Sequence, residues 1–220
     1  MYNGTAWTNM MGGAASGFII PTVTSSTGRI WMDRNLGASR VALSSTDAEA
    51  YGDYYQWGRP ADGHQTQYKL NNNSSGVTNT KSSSSVPSTN LFIQPTDGSN
   101  DWLITPNNNL WVGSNPANNP CPAGFRIPTV EEWAAEQATW SSANAAGAFA
   151  SPLKLTRAGM LTSFGSGGAV FTAKNDYGQY VSQTAFTNGG VRYLGINSGN
   201  TWFDSNYSKS MGMTCRCIKE

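Results

Sequence analysis

Short runs of alternating apolar and polar residues fill the last third of the chain. Beyond Leu153 they read LKLTRAGML, AVFTA, GQYVSQTAF, GVRYLGI and GMTCRCIK, separated by Gly, Asn and Ser. Because side chains of a strand alternate between its faces, and because these separators favour turns, the pattern predicts a meandering antiparallel sheet. The last run divides into two predicted faces, one with Met213, Cys215 and Cys217 and the other with Thr214, Arg216 and Ile218.

A helical period is clearest in NPCPAGFRIPTVEEWAAEQATW, at positions 119–140. Thr129 and Glu132 have the spacing of a capping box, in which each side chain bonds the backbone N–H of the other. The spacing therefore predicts a helix that begins after Thr129. Its inward face is predicted to carry Val130, Trp133, Ala134 and Gln137.

The first half of the chain gives weaker local signals. GRIWMDRNLGA (28–38) predicts a strand followed by a turn, and Asn3-Gly4 predicts a hairpin turn in the lead-in segment. STDAEAYGDYYQWGR predicts a short helix capped by Ser45 or Thr46, which runs through Ala48, Tyr51 and Tyr55 and ends before Gly58.

The domain organisation follows from a shift in composition. Asn, Ser and Thr dominate from Gln65 to Asn90, which predicts a long surface insertion and not a linker between domains. We therefore expect a lead-in segment at 1–27, followed by one domain at 28–220 with a Ser/Asn-rich insertion at about 65–100.

Composition and charge exclude several classes of partner. Charged residues make up only 12% of the 220 residues, whereas about 25% is usual, and the aromatic share of 11% argues against disorder. The net charge is +1 and no Lys/Arg run exists, so we expect no nucleic-acid partner. No apolar run approaches the ~20 residues of a membrane span, and the first residues, MYNGTAWTNMMGG, do not read as a signal peptide.

Residues able to support catalysis or bind metal are sparse. His64 is the single histidine, and we expect it to be a solvated loop side chain instead of part of a triad. Cys215 and Cys217 supply one pair where a zinc site needs two, and GSGGA (165–169) reads as a turn. An Asx-rich turn is favoured over calcium binding for DGSNDW (97–102). We predict no catalytic residues, no cofactor and no metal.

Five segments carry a resemblance to a known family. GRIWMDRNLGA, AYGDYYQWGRPADG, NPCPAGFRIPTVEEW, GQYVSQTAF and GMTCRCIKE follow one another in this order. Together they resemble the Fibrobacter succinogenes major paralogous domain family over about residues 28–220, without the insertion. The resemblance implies an α+β, C-type-lectin-like fold with two short helices, short mixed or antiparallel strands and much irregular loop structure.

The resemblance also implies roles for individual residues. Trp31, Trp57 and Trp133 match apolar family positions, so we expect them in the core. Cys121 and Cys217 match two family cysteines that form a disulfide, or that remain thiols in a reducing cytosol. Cys215 departs from the apolar residue usual there, and either competes for pairing or stays buried.

The same fold is used by the variable proteins of diversity-generating retroelements, in which copying errors at adenines randomise a C-terminal stretch. The resemblance thus implies a non-enzymatic ligand- or receptor-binding protein, a phage-tail or bacterial cell-surface adhesin with a hypervariable face. Its partner is expected to be a cell-surface protein or glycan, and repeated copies on a fibre or surface would add avidity.

Residues 179–210 combine Tyr and Trp with Ser, Asn and Gly, as antibody loops do. The predicted binding face comprises Ser182, Thr184, Phe186, Asn188, Tyr193, Asn197, Asn200, Trp202, Asp204, Asn206, Tyr207 and Ser208.

Three alternatives remain. The stretch can be a turn region whose Trp202 and Tyr207 pack inward. The chain can be a structural surface or fibre-tip module without a selected ligand. The third is an enzyme related to the formylglycine-generating group, for which Cys215 and Cys217 are the candidate reactive pair.

Overall fold

The computed structural model describes residues 19–66, 76–114, 116–163, 169–186 and 190–220, except for the side chains at 163, 169–172 and 204–206. The turns predicted at Asn3-Gly4 and at GSGGA, apart from its last residue, lie outside these residues. The described strands are β1 (Thr22–Thr24), β2 (Ile30–Met32), β3 (Tyr54–Gln56), β4 (Val77–Thr78), β5 (Phe92–Ile93), β6 (Phe125–Arg126), β7 (Met160–Ser163), β8 (Ala169–Thr172), β9 (Gly178–Ala185), β10 (Gly190–Ile196), β11 (Thr201–Ser208), β12 (Gly212–Thr214) and β13 (Ile218–Lys219).

The described strands form three sheets. The largest follows the order β11-β10-β9-β12-β7-β8, with β3 also paired to β12. The order β1-β2-β13-β6 makes a smaller sheet, and β4 and β5 form a parallel pair. β2 is the strand predicted at 28–38, which is confirmed. The boundary predicted at residue 27 falls between β1 and β2, which pair with each other.

The α-helices among the described residues are α1 (Val130–Gln137) and α2 (Ala145–Ala150), so the α+β class is confirmed. Thr129 and Glu132 form the predicted capping box. Val130 and Trp133 are buried as predicted, whereas Ala134 and Gln137 are only half-buried. The prediction missed Glu136, which is buried and accepts a 3.2 Å hydrogen bond from Trp31 Nε1.

The helix predicted from Ser45 or Thr46 to before Gly58 is wrong. The chain makes one 3-10 turn at Ala48–Ala50, capped by Asp47, and then becomes strand β3. Gly52 separates the two with φ +76°, where a Cβ would lie 2.5 Å from the carbonyl oxygen of Leu36. β3 pairs with β12 from the far end of the chain, so a long-range contact overrides the local helical spacing.

Two hydrophobic clusters hold the layers together. One contains Trp57 with Trp102 and Trp111, and the other joins Trp31 and Trp133 on the helix side. The ring centres of Trp31 and Trp133 lie 4.8 Å apart. Trp31, Trp57 and Trp133 are at most 1% exposed, so their predicted core positions are confirmed.

The described part of the Ser/Asn-rich insertion is not purely surface. Ile93 of β5 is buried in the cluster around Trp57, and Phe92 is buried in a third cluster with Tyr54 and Leu161. Arg59, itself buried, donates to the carbonyls of Thr89 and Leu91 at 2.9 and 2.8 Å. These contacts fix the end of the insertion to the core.

The C-terminal segment is two short strands, β12 and β13, in two different sheets. The predicted division of its faces is confirmed at four positions. Met213, Cys215 and Cys217 lie in the cluster around Trp57, while Ile218 lies in the cluster around Trp133. The described residues contain no helix long and apolar enough to cross a membrane.

Candidate functional site

The residues predicted to bind a ligand lie on three consecutive antiparallel strands. β10 pairs with β9 on one side and with β11 on the other, and β11 ends the sheet. The register of both pairings shifts between Val191 and Tyr193, which marks a bulge. Bulges bend a strand and re-aim its side chains, so this end of the sheet has an irregular surface.

An aromatic group covers one face of these strands. The indole of Trp202 lies against Gly195, its cross-strand partner, and its Nε1 donates to the hydroxyl of Tyr193 at 3.2 Å. Tyr177 meets Trp202 edge-on at 5.8 Å, and Tyr207 meets Tyr193 edge-on at 4.8 Å. We call Tyr177, Trp202 and Tyr207 the aromatic row; each keeps some solvent exposure.

The inward-packing alternative is correct in part. Trp202 and Tyr207 are half-buried and pack against the cluster around Trp57. Each therefore has one side fixed by the core and another available to a partner. This is the arrangement of an amphipathic aromatic anchor, whose position is set before binding.

Two predicted site residues are wrong as ligand contacts. Ser182 and Tyr193 are 0% and 1% exposed, so neither side chain offers surface. The hydroxyl of Ser182 instead donates to the carbonyl of Arg192 at 2.9 Å, at the bulge. Tyr193 lies on the core face of β10, where it orients Trp202.

Two further predicted residues use their polar atoms within the protein. Asn197 accepts from the backbone N–H groups of Gly199 and Asn200, both at 2.8 Å, and so shapes the β10–β11 turn. Ser208 donates to the carbonyl of Asn100 at 2.9 Å. Both are part of the frame around the site.

The remaining predicted residues divide by position. Thr184 and Phe186 are half-buried at the far end of β9, and Asn200 is exposed at the β10–β11 turn. Asn188 lies outside the described residues. The backbones of Asp204 and Asn206 belong to β11, while their side chains are not described.

Sequence reasoning missed Tyr177, Arg192 and Lys209. Tyr177 is 38% exposed, beside Trp202. The guanidinium of Arg192 lies 5.6 Å from the Phe186 ring, a distance at which a cation is attracted to a ring face. Lys209 is buried beside Asp101, from a segment 108 residues earlier. The signal for Tyr177 was its place just before the GQYVSQTAF run; the other two contacts depend on the fold.

The structure contains a disulfide between Cys121 and Cys217, the pair that the resemblance implies. Cys215 is a buried free thiol, and burial raises its pKa well above the ordinary value. Since the thiolate is the reactive form, this thiol is inert at neutral pH. The Cys215–Cys217 pair required by the enzyme hypothesis is thus not a dithiol in this structure.

The expectation that His64 is a solvated loop residue is wrong. His64 is completely buried, its Nδ1 donates to Asp62 Oδ1 at 2.6 Å, and its Nε2 accepts from the backbone N–H of Gln56 at 3.0 Å. These partners fit the neutral ring. Burial, and then the charge of Arg59, lower the His64 pKa to about 4. The neutral imidazole of His64 therefore links Gln56 to Asp62 and holds this segment in place.

The acidic segment at 97–102 forms the expected Asx turns. Asp97 accepts from the backbone N–H of Ser99, and Asp101 from that of Leu103, both at 2.9 Å. The other oxygen of Asp101 accepts from Lys209. Within the described ranges no group of three or more His, Cys, Asp or Glu side chains is placed to hold a metal ion.

Comparisons with known proteins found no matching family model, no matching curated protein and no matching solved structure.

Proposed function

We propose that this chain is a non-enzymatic binding protein, a C-type-lectin-like domain that presents the exposed edges of the aromatic row beside β9–β11 to a cell-surface protein or glycan. The observation that carries the proposal is the aromatic row. Trp202 and Tyr207 are held on one side by Gly195 and Tyr193, and Tyr177 meets Trp202 edge-on. All three rings remain partly open to solvent. Fixed aromatic anchors lose little conformational entropy when they bind, and such residues dominate the energy of many interfaces.

The fold-level part of the proposal rests on the order of the five family-like segments. The disulfide joins the two cysteines that the resemblance pairs, and the three matched tryptophans are buried. In the part of the chain that the structure describes, two short α-helices accompany short strands and extensive irregular structure. These features support a C-type-lectin-like domain of the kind found in phage tails and adhesins.

Diversification is the second part of the proposal. We propose that the exposed positions of 184–207 vary by retroelement copying, while the buried Ser182 and Tyr193 and the framing Asn197 and Ser208 stay fixed. The test is a near-copy of this segment in the source genome, differing at adenines only, beside a reverse transcriptase gene. A complete genome with neither removes the diversification proposal and leaves the binding proposal standing.

Binding itself is tested on arrays of bacterial surface glycans and surface proteins, probed with streptavidin tetramers of the biotinylated protein. Replacing Tyr177 and Tyr207 of the aromatic row together by Ala should lower retention by about tenfold or more, because interface anchors often contribute ~2 kcal/mol or more. Leu43 and Val86, exposed elsewhere at 74% and 57%, provide the matched control pair of alanine changes.

The same experiment separates binding from the structural-module alternative. A module without a selected ligand gives no array signal above that of an unrelated protein, or a signal that Y177A/Y207A leaves unchanged. Either result contradicts the proposal, provided that the variant unfolds at the same denaturant concentration as the parent.

A further inference from the structure

The second half of β11 is a stretch whose position its own sequence specifies weakly. It lies at the end of the sheet and pairs with β10 alone among the described strands. Trp202 and Phe203 pack against the two hydrophobic clusters near the start of β11. The residues that follow, DSNYS, are largely polar, and a stretch of this kind is prone to slip in register. If the side chains of a binding face vary between copies of the protein, the register of β11 must be fixed by residues that do not vary.

The C-terminal end of β11 is fastened to a distant segment. Both the backbone N–H of Lys209 and the hydroxyl of Ser208 donate to the carbonyl of Asn100, at 2.8 and 2.9 Å. The Lys209 ammonium donates to Asp101 Oδ2 at 2.7 Å and to Asn108 Oδ1 at 2.6 Å. One lysine thus holds the strand end to two points of the 100–108 segment.

This contact lies inside the protein. Lys209 is 1% exposed and Asp101 is 3% exposed, and the ammonium lies 5.1 Å from the ring centre of Trp57. A buried ion pair is strongly directional, because moving either partner leaves an uncompensated charge in the core. Asp101 is itself fixed, since its other oxygen caps the turn to Leu103.

The opposite end of β11 is also fixed from outside. Asn197 closes the β10–β11 turn, and its carbonyl accepts from the N–H of Ala145 in α2 at 2.8 Å. Between the two ends, the pairing places Trp202 opposite Gly195 and Tyr207 opposite Val191. β11 is therefore held at both ends by contacts with residues outside the strand.

We propose that Lys209 is the positioning residue of the binding face. Its buried contacts with Asp101 and Asn108 keep β11 in register while the side chains between Thr201 and Tyr207 change. The proposed function explains only why β11 needs to tolerate many different side chains, and the inference rests on it in that respect alone. The tolerance itself is measurable without any ligand.

The experiment randomises positions 204, 206 and 207 together and displays the library on yeast. The fraction of protease-resistant members is counted in three backgrounds: the parent, K209M/D101N and L161A. The double variant removes both charges, so no lone buried charge remains, and the amide oxygen that D101N introduces can still cap the turn to Leu103. Leu161, 1% exposed in a separate cluster, provides a general loss of stability as the control.

The two libraries are compared at denaturant concentrations or temperatures at which unrandomised K209M/D101N and L161A are equally unfolded. Under these conditions we expect the resistant fraction to be lower by about fivefold or more in K209M/D101N than in L161A. In the unrandomised sequence, amide hydrogen exchange at 201–208 should accelerate in K209M/D101N, with the amides of β7 unchanged. Equal tolerance in the two backgrounds, or unchanged exchange in β11, overturns the proposal. If K209M/D101N does not fold, N108A, which removes only the neutral acceptor of the Lys209 ammonium, is compared in the same way.

The proposed function fails by a different result. A chain that binds no surface partner can still show the Lys209 effect, and a binder can lack it. The library count and the array measurement are therefore independent.

Discussion

The indole of Trp202 occupies the space that a side chain on Gly195 would fill. A Cβ on Gly195 would lie 2.1 Å from Cε2 of the indole, well below contact distance. The two residues face each other across β10 and β11. The position of the central ring of the aromatic row thus depends on the absence of a side chain on the neighbouring strand.

Gly195→Ala should move Trp202 away from the sheet and lower the free energy of unfolding by about 1–3 kcal/mol, as overpacking does. Gly199→Ala is the control, because a Cβ there meets only Asn197 Oδ1, at an ordinary 3.6 Å. Denaturant unfolding and near-ultraviolet circular dichroism report the two effects. Equal stability of the two variants would show that Trp202 adapts without cost.

Removing the disulfide should strongly destabilise the protein. Cys121 and Cys217 are 96 residues apart, and a cross-link over a long loop restricts the unfolded chain, at about 2–5 kcal/mol for natural disulfides. C121S/C217S should therefore unfold at lower denaturant concentration and lose its response to reductant. C215A should retain that response, since Cys215 is not cross-linked.

Acid should destabilise the protein through His64. Its folded-state pKa of about 4 lies below the ordinary 6.5, so the unfolded chain binds the proton more readily. The contribution of neutral His64 to the free energy of unfolding is complete above pH 6.5. It is lost as the pH falls from 6.5 towards 4, by roughly 3 kcal/mol in total.

The measurement is the unfolding free energy at several pH values, for the parent and for H64Q. The variant should lack the part of the pH dependence between 6.5 and 4, while keeping the part due to carboxylates at lower pH. Parallel profiles for both proteins would contradict the assignment.

Asn35 should be among the most sensitive polar positions. Its Oδ1 accepts from Nε and Nη2 of the buried Arg216 at 3.1 and 2.8 Å, and its Nδ2 donates to the carbonyl of Ala50 at 3.0 Å. Asn35→Ala leaves these buried groups unsatisfied and should cost about 3 kcal/mol or more in unfolding free energy. Asn200→Ala, at an exposed turn, should change it by about 0.5 kcal/mol or less.

Local signals in the sequence predicted local structure well. The Thr129–Glu132 capping box needs only neighbouring residues, and strand β2 follows from its own apolar run. The helix predicted through Tyr55 failed because β12, from the far end of the chain, pairs with that segment. His64 was misplaced for the same reason, since its burial depends on Phe92 and on the folded insertion.

The candidate site shows the same limit. Composition singled out β9–β11, because Tyr, Trp, Asn and Ser are concentrated there, and these three strands do lie side by side. Composition does not report which face of β10 meets the core, so Tyr193 and Ser182 were assigned to the surface. The Lys209–Asp101 pair joins segments distant in sequence, and nothing in either segment alone indicates it.

The position of β13 affects how the chain folds during synthesis. Ile218 pairs with Trp31 on one side and with Arg126 on the other, so this late strand lies between two earlier ones. Until it leaves the ribosome, β2 and β6 have no neighbour between them and Cys121 has no partner. The β1–β2 pair can form early, but the four-stranded sheet and the Cys121–Cys217 disulfide can be completed only after β13 has been synthesised.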